Sequence, residues 1–246
     1  ESCDLPVEEV LAEARDAGVE RIVTIGTGRE SSERAVALAG AHREVFAAVG
    51  VHPHDADGYG PRDEAWIRRL AAHPKVVAVG ECGLDLHRRL SAPEAQRRAF
   101  VAQVRIARDV GLPVVVHTRD AADETLAILA DEAAGMTVVL HCFSMPERAE
   151  EVAERGYFAS FAGQLTFPSA RDLQAAARTL PGNLLLVETD SPYLAPVPRR
   201  GRPNRPANAV HTLRFLADLR ETSPEEMDAL TTANTERAFP RMRRAA

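Results

Sequence analysis

Val76-Val77-Ala78-Val79-Gly80-Glu81 and Pro113-Val114-Val115-Val116-His117 decide the fold. Each is a short apolar run, rich in valine, that ends on a polar side chain, and the stretch between them, near 92–110, repeats its apolar residues at helical spacing. The same alternation recurs along the rest of the chain. Strands are expected at 21–26, 45–51, 76–81, 113–117, 137–141, 157–161 and 184–190. Helices are expected near 31–41, 62–72, 92–110, 121–132, 147–155, 169–178, 208–220 and 224–239, and a further helical pattern, Val7, Val10, Leu11 and Ala14, precedes the first strand. Strands that are continuously apolar have both faces covered, so the expectation is an α/β protein built on a parallel sheet. A (β/α)8 TIM-type barrel with its first strand missing accounts for seven strands and an entry on a helix; a seven-stranded open sheet is the alternative.

A chain of 246 residues suits one such barrel, and a single domain over 1–246 is expected. The stretch 196–206, rich in Pro and Arg, is too short to separate domains and reads as a loop after the last strand. Hydrophobic residues make up 45% and charged residues 27%, with no apolar run near 18 residues, which fits a soluble globular protein. With 30 basic and 36 acidic residues the net charge is -6, so bulk electrostatic coating of nucleic acid is excluded and any such contact is local. Three cysteines, Cys3, Cys82 and Cys142, make neither a disulfide framework nor a four-cysteine zinc site. A reducing cytoplasm is expected, and no signal peptide is visible. Lys75, the only lysine, carries no assigned role.

In α/β barrels the chemistry sits where strands end at their C-terminal rim. Glu81, His117, His141 and Asp190 each end an apolar run, and His52 ends another. One histidine in such a place is ordinarily a hydrogen-bonded structural residue, but five polar ends converging on one rim make a divalent cation site of carboxylates and imidazoles, suited to zinc, manganese or magnesium. Glu81 can bridge two cations. Asp190 is expected to bind metal and accept a proton from the attacking water. Strand alternation puts Glu188 and Asp190 on one face, with Glu188 as an orienting neighbour or an ion-pair partner.

In His52-Pro53-His54, His52 is expected to contact a substrate phosphate, whereas His54 is expected to be exposed or structural. Arg119 matches phosphate with paired donors, with a salt bridge to Asp120 or Asp123 as its bland alternative. Cys82 and Cys142, each following a candidate ligand, are expected to turn away and pack. Arg199, Arg200, Arg202 and Arg205 in the loop 199–205 form a basic cluster able to touch a nucleic-acid backbone. His42, His73, His87 and His211 show no comparable pattern, and Trp66 reads as helix packing.

Five motifs together resemble one known family. Gly50-Val51-His52-Pro53-His54, Gly80-Glu81-Cys82-Gly83-Leu84-Asp85, His117-Thr118-Arg119-Asp120, Leu140-His141-Cys142-Phe143-Ser144 and the run Glu188-Thr189-Asp190-Ser191-Pro192-Tyr193-Leu194-Ala195-Pro196 resemble, in order and spacing, the signatures of the TatD family of metal-dependent deoxyribonucleases. The resemblance implies that Glu81, His117, His141 and Asp190 are metal ligands, that two divalent ions (Mg, Mn or Zn) serve the complete site, and that the reaction is hydrolysis of DNA phosphodiesters. The family's Asp-x-His-x-His motif on the first strand is not found; Ser2-Cys3-Asp4-Leu5 is similar to the segment just after that motif, so an N-terminally shortened sequence with low activity is expected. Arg199 and Met145 also depart from the family pattern, which touches only local substrate contacts.

Two alternatives stand beside this expectation. The wider amidohydrolase group acts on lactones, amides or phosphotriesters from a similar barrel, and many of its members bridge their metals through a carbamylated lysine. Here that strand ends in Glu81, and Lys75 lies before it begins. The other alternative is a non-catalytic barrel protein that has lost one metal position. Metal uptake and a side-by-side test of DNA, a lactone and a simple phosphodiester separate the three.

Overall fold

The computed structural model describes residues 5–244, so Cys3 and the Ser2-Cys3-Asp4 segment lie outside the described residues. In chain order the elements are α1 (Val7–Asp16), β1 (Ile22–Ile25), α2 (Arg29–Ala41), β2 (Val45–Val49), α3 (Pro61–Ala71), β3 (Val76–Asp85), α4 (Pro93–Val110), β4 (Val114–Arg119), α5 (Ala122–Glu132), β5 (Val138–Leu140), α6 (Ala149–Glu154), β6 (Phe158–Phe161), α7 (Arg171–Thr179), β7 (Leu185–Val187), α8 (Ala209–Leu219), α9 (Pro224–Ala238) and α10 (Arg241–Arg244). All seven expected strands form, and they succeed one another in chain order. The chain divides into two compact units, one made of Arg21–His141 with the stretch from Glu236, the other of Cys142–Thr235 with the stretch up to Glu20.

In the first unit β1 to β5 pair in parallel, each with the next. Residues 76–79 and 114–116 are almost wholly removed from water, as runs covered on both faces must be. Burying a valine of this kind contributes about 1.5–3 kcal/mol. The helices that cover them have local reasons to begin and end. Pro93 opens α4 at a position where a missing N–H costs nothing, and Gly111, at φ 66, closes it in the left-handed conformation. In α3 the Asp63 carboxylate accepts the Gly60 N–H at 3.0 Å, and the Trp66 indole, buried as expected for helix packing, donates to Asp63 at 2.9 Å.

The structure departs from the expected boundaries at two strands that matter. β3 runs four residues beyond Glu81, to Asp85, because it stays paired with β4 through Asp85 opposite Arg119, past a register shift between Val79 and Cys82. Gly80 and Gly83, at φ 137 and 139, sit on either side of Glu81 in conformations that side chains rarely adopt.

In the second unit β6 and β7 pair in parallel, and Phe143 packs edge-on against Phe161 with ring centroids 5.7 Å apart. β7 is shorter than expected. It ends at Val187, and Asp190 takes φ 56, so the two-residue alternation invoked for Glu188 and Asp190 does not extend to them. Among the described residues no helix is long and apolar enough to cross a membrane.

Candidate metal centre

The first unit gathers its candidate residues around one carboxylate. Glu81 is buried, and its Oε1 lies 2.8 Å from His117 Nδ1, 3.5 Å from His52 Nε2 and 3.5 Å from His141 Nε2. Burial alone would push this carboxyl up. The charge of His141 and the hydrogen bonds from His117 and His52 outweigh it and hold Glu81 well below the usual carboxylate range. The group is therefore an anion in a nearly dry setting, which is what a cation site requires. Burial, helped by the charge of Glu81, pushes the neighbouring Cys82 thiol up, and that side chain is a packed, inert group as expected.

Strand ends deliver these side chains by close backbone approach. A Cβ on Gly80 would stand 2.4 Å from the Val115 carbonyl oxygen, one on Gly83 1.9 Å from that of His117, and one on Gly50 2.8 Å from Gly80. Two buried glutamines on α4 fix the ends further. Gln103 accepts the Val51 N–H at 2.7 Å and donates to the Val51 carbonyl at 3.0 Å, just before His52. Gln96, two turns away on the same face, accepts the Asp85 N–H at 2.8 Å and donates to the Asp85 and Ser91 carbonyls. Neither glutamine is conspicuous in the sequence, since each looks like an ordinary polar residue within a helical pattern.

Asp85 is the residue that reading strand ends missed. The apolar run stops at Glu81, yet the strand continues and Asp85, buried, turns its carboxylate toward the same cluster. Its Oδ2 lies 2.7 Å from His54 Nε2 and 3.5 Å from His117 Nε2, and its Oδ1 accepts the backbone N–H groups of His87 and Arg88 at 3.1 and 2.7 Å. Of the two roles expected for His54, the structure gives the structural one. Pro53 opens a 3-10 stretch, Pro53–Gly58, so that the two histidines beside it stack edge-on with centroids 4.2 Å apart. The backbone N–H of His54 donates to His52 Nδ1 at 3.1 Å. His52 accordingly keeps its ring proton on Nε2 and faces Glu81 as a donor.

The donor set fits a divalent cation. Glu81 Oε1, with His117 Nδ1 at 2.8 Å and His141 Nε2 at 3.5 Å, sets one anionic oxygen and two imidazoles around a single point. Two ligands held about 2.0–2.2 Å from one ion at the tetrahedral angle stand roughly 3.4 Å apart, close to the separation of His141 from Glu81.

In the second unit, Asp190 lies in a loop tied down by Asn204, which is fully buried. The Asn204 amide donates to the carbonyls of Thr189 and Tyr193, each at 2.7 Å, and its N–H donates to that of Pro192. The Asp190 carbonyl accepts the Tyr193 N–H at 2.8 Å.

Comparison with known proteins identifies the lineage. The family described as "TatD related DNase" matches residues 2–240. The chain belongs to the TatD family of metal-dependent hydrolases. It is 38% identical over 97% of its length, and 94% of the relative's, to an uncharacterized metal-dependent hydrolase, YabD, of Bacillus subtilis. It is 39% identical to a protein of Cronobacter sakazakii named "3'-5' ssDNA/RNA exonuclease TatD", covering 94% of this chain and 91% of that one. Among solved structures it resembles the TatD homologue YjjV of Escherichia coli, with a TM-score of 0.89 and 31% identity over 96% of this chain and 95% of that one. The fold class is therefore α/β of the TIM-barrel type, with seven parallel strands among the described residues.

The other expected residues of this TatD-family chain meet varied surroundings. Arg119, at the end of β4, is exposed, and the salt bridge weighed for it with Asp120 is not formed; Asp120 meets His87 instead, 2.8 Å away. That gives His87 a partner the sequence did not indicate. In the basic loop Arg205 is bound to Glu13 at 3.0 Å and Arg200 lies over the Phe167 ring, 4.0 Å from its centroid, whereas Arg199 and Arg202 are exposed. Cys142 corrects an expectation. At φ 45 it leaves the alternation that would have turned it into the packing, and its half-buried Sγ accepts a hydrogen bond from Gln164 Nε2 at 3.0 Å.

Proposed function

We propose that this protein hydrolyses phosphodiester bonds of DNA, using divalent cations held by Glu81, His117, His141 and Asp190. The observation that carries the reading is the buried Glu81 carboxylate ringed by the imidazoles of His52, His117 and His141. Asp190 is assigned by the family resemblance, as is a second ion in the complete site. Cations bound there would supply Lewis acidity, easing deprotonation of water and offsetting charge on a phosphoryl oxygen.

The chain's own residues do the rest. His52, with its proton on Nε2, donates to a phosphate oxygen. Arg119 offers that phosphate a two-pronged, exposed guanidinium. Asp190 takes the proton from the attacking water. Arg199 and Arg202 contact the nucleic-acid backbone beyond the scissile bond. The name of the Cronobacter relative supports a single-stranded nucleic-acid substrate, RNA included. Against a lysine-bridged amidohydrolase centre, Lys75 lies just before β3, beyond the end of the strand opposite Glu81, and donates to the Arg43 carbonyl.

The test is hydrolysis of single-stranded DNA, RNA, a lactone and a simple phosphodiester by the purified chain with manganese, magnesium or zinc, alongside Glu81→Ala and elemental analysis. The expected result is metal uptake, and cleavage of nucleic acid that Glu81→Ala abolishes. Turnover of the lactone alone, or nuclease activity retained by Glu81→Ala, overturns the reading.

A further inference from the structure

Asp85 has a use beyond the fold of its turn. One oxygen, Oδ1, is committed to the backbone N–H groups of His87 and Arg88. The other, Oδ2, faces two imidazoles: His54 Nε2 at 2.7 Å and His117 Nε2 at 3.5 Å. A carboxylate has about four acceptor positions, so the N–H groups of His87 and Arg88 together with His54 leave one open on the side facing His117.

His117 is the informative member. Its Nδ1 points at Glu81 Oε1, 2.8 Å away, and its Nε2 is buried and unpartnered, with Asp85 as the carboxylate in front of it. An imidazole set between two carboxylates can give one nitrogen to a cation and the other, as N–H, to an acceptor. That arrangement fixes the ring's tautomer and orientation and strengthens the ligating nitrogen.

We infer that Asp85 is the positioning residue of the metal centre: it accepts the Nε2–H of His117, so that His117 meets the cation through Nδ1, and with the same oxygen it holds His54. This rests on the metal-centre reading proposed above. Gln96 supports the device from behind by holding both the N–H and the carbonyl of Asp85.

Asp85→Asn separates positioning from turn stability. The amide oxygen can still accept the N–H groups of His87 and Arg88, while its NH2 now faces His117 as a donor. Three measurements decide the matter: zinc affinity by competition titration, the ring tautomer of His117 in zinc-loaded protein by long-range proton–nitrogen NMR, and thermal unfolding of the metal-free protein. The expected outcome is wild-type His117 with its proton on Nε2 when loaded, and a zinc affinity roughly 10–100-fold weaker in Asp85→Asn. The wild-type tautomer stands as a test even if the variant does not fold. A ring proton on Nδ1 in the loaded wild type, or a folded variant that binds zinc within about twofold of the wild type, overturns the assignment while leaving the metal centre intact. A wild type that takes up none of zinc, manganese and magnesium overturns both readings.

Discussion

Gly83 lies opposite His117 with no room for a side chain: a Cβ built on it would stand 1.9 Å from the His117 carbonyl oxygen, and its φ is 139°. The clash is with backbone, which cannot swing aside. Gly83→Ala is therefore expected to cost about 3 kcal/mol or more in unfolding free energy, from backbone strain and forced separation of β3 from β4. Gly58→Ala, where nothing stands within 4 Å, should stay within about 0.5 kcal/mol. Urea unfolding of both variants checks this, and equal losses would sink the packing argument.

Gln103→Leu keeps the bulk of a buried side chain and deletes both of its bonds to Val51. Leaving that buried N–H and carbonyl without their partners costs about 1–3 kcal/mol for each group stranded. Because Val51 precedes His52, metal affinity should fall along with stability. The check is denaturant unfolding together with zinc titration. A variant that loses stability yet binds zinc as the wild type does would show that the clamp serves the fold alone.

Asp85 also predicts a pH dependence. Burial pushes its carboxyl up, but the Arg88 N–H and the histidines 54 and 117 bring it down to about 2, against an ordinary 3.8. A depressed carboxyl adds stability that is complete above its unfolded value and lost as pH falls from near 4 toward 2. The amount is about 2 kcal/mol. In the metal-free protein, the advantage of wild type over Asp85→Asn should shrink by that much between about pH 5 and pH 2. An advantage that stays constant across the range would contradict it.

These outcomes turn on features that the sequence discloses unevenly. Valine-rich runs ending in Glu81, His117 and His141 identify parallel strands and their polar ends, because burial on both faces and the position of the chemistry leave a local mark. Asp85 leaves none: Gly80 and Gly83 carry the strand onward through conformations that break alternation, so a reading by period stops four residues short. Cys142 escapes for the same reason, at positive φ where alternation no longer applies. Gln96, Gln103 and Asn204 escape for another. Their work is to satisfy backbone groups distant in sequence, and only the folded chain shows which groups those are.

Arg119 should separate substrate grip from fold. Its guanidinium is exposed and forms no ion pair among the described residues, so Arg119→Ala should change unfolding free energy by less than about 0.5 kcal/mol. Losing a two-pronged phosphate contact should lower kcat/KM on single-stranded DNA by about 10–100-fold. Arg119→Lys keeps the charge without the fork and should fall between the two. Each phosphate contact to a single strand also contributes about 0.7 to the slope of log affinity against log salt, so the alanine variant should show a shallower slope by about that amount. Steady-state kinetics at several salt concentrations measure both effects. An unchanged slope with unchanged kcat/KM would remove Arg119 from the substrate path and leave it a solvated surface residue.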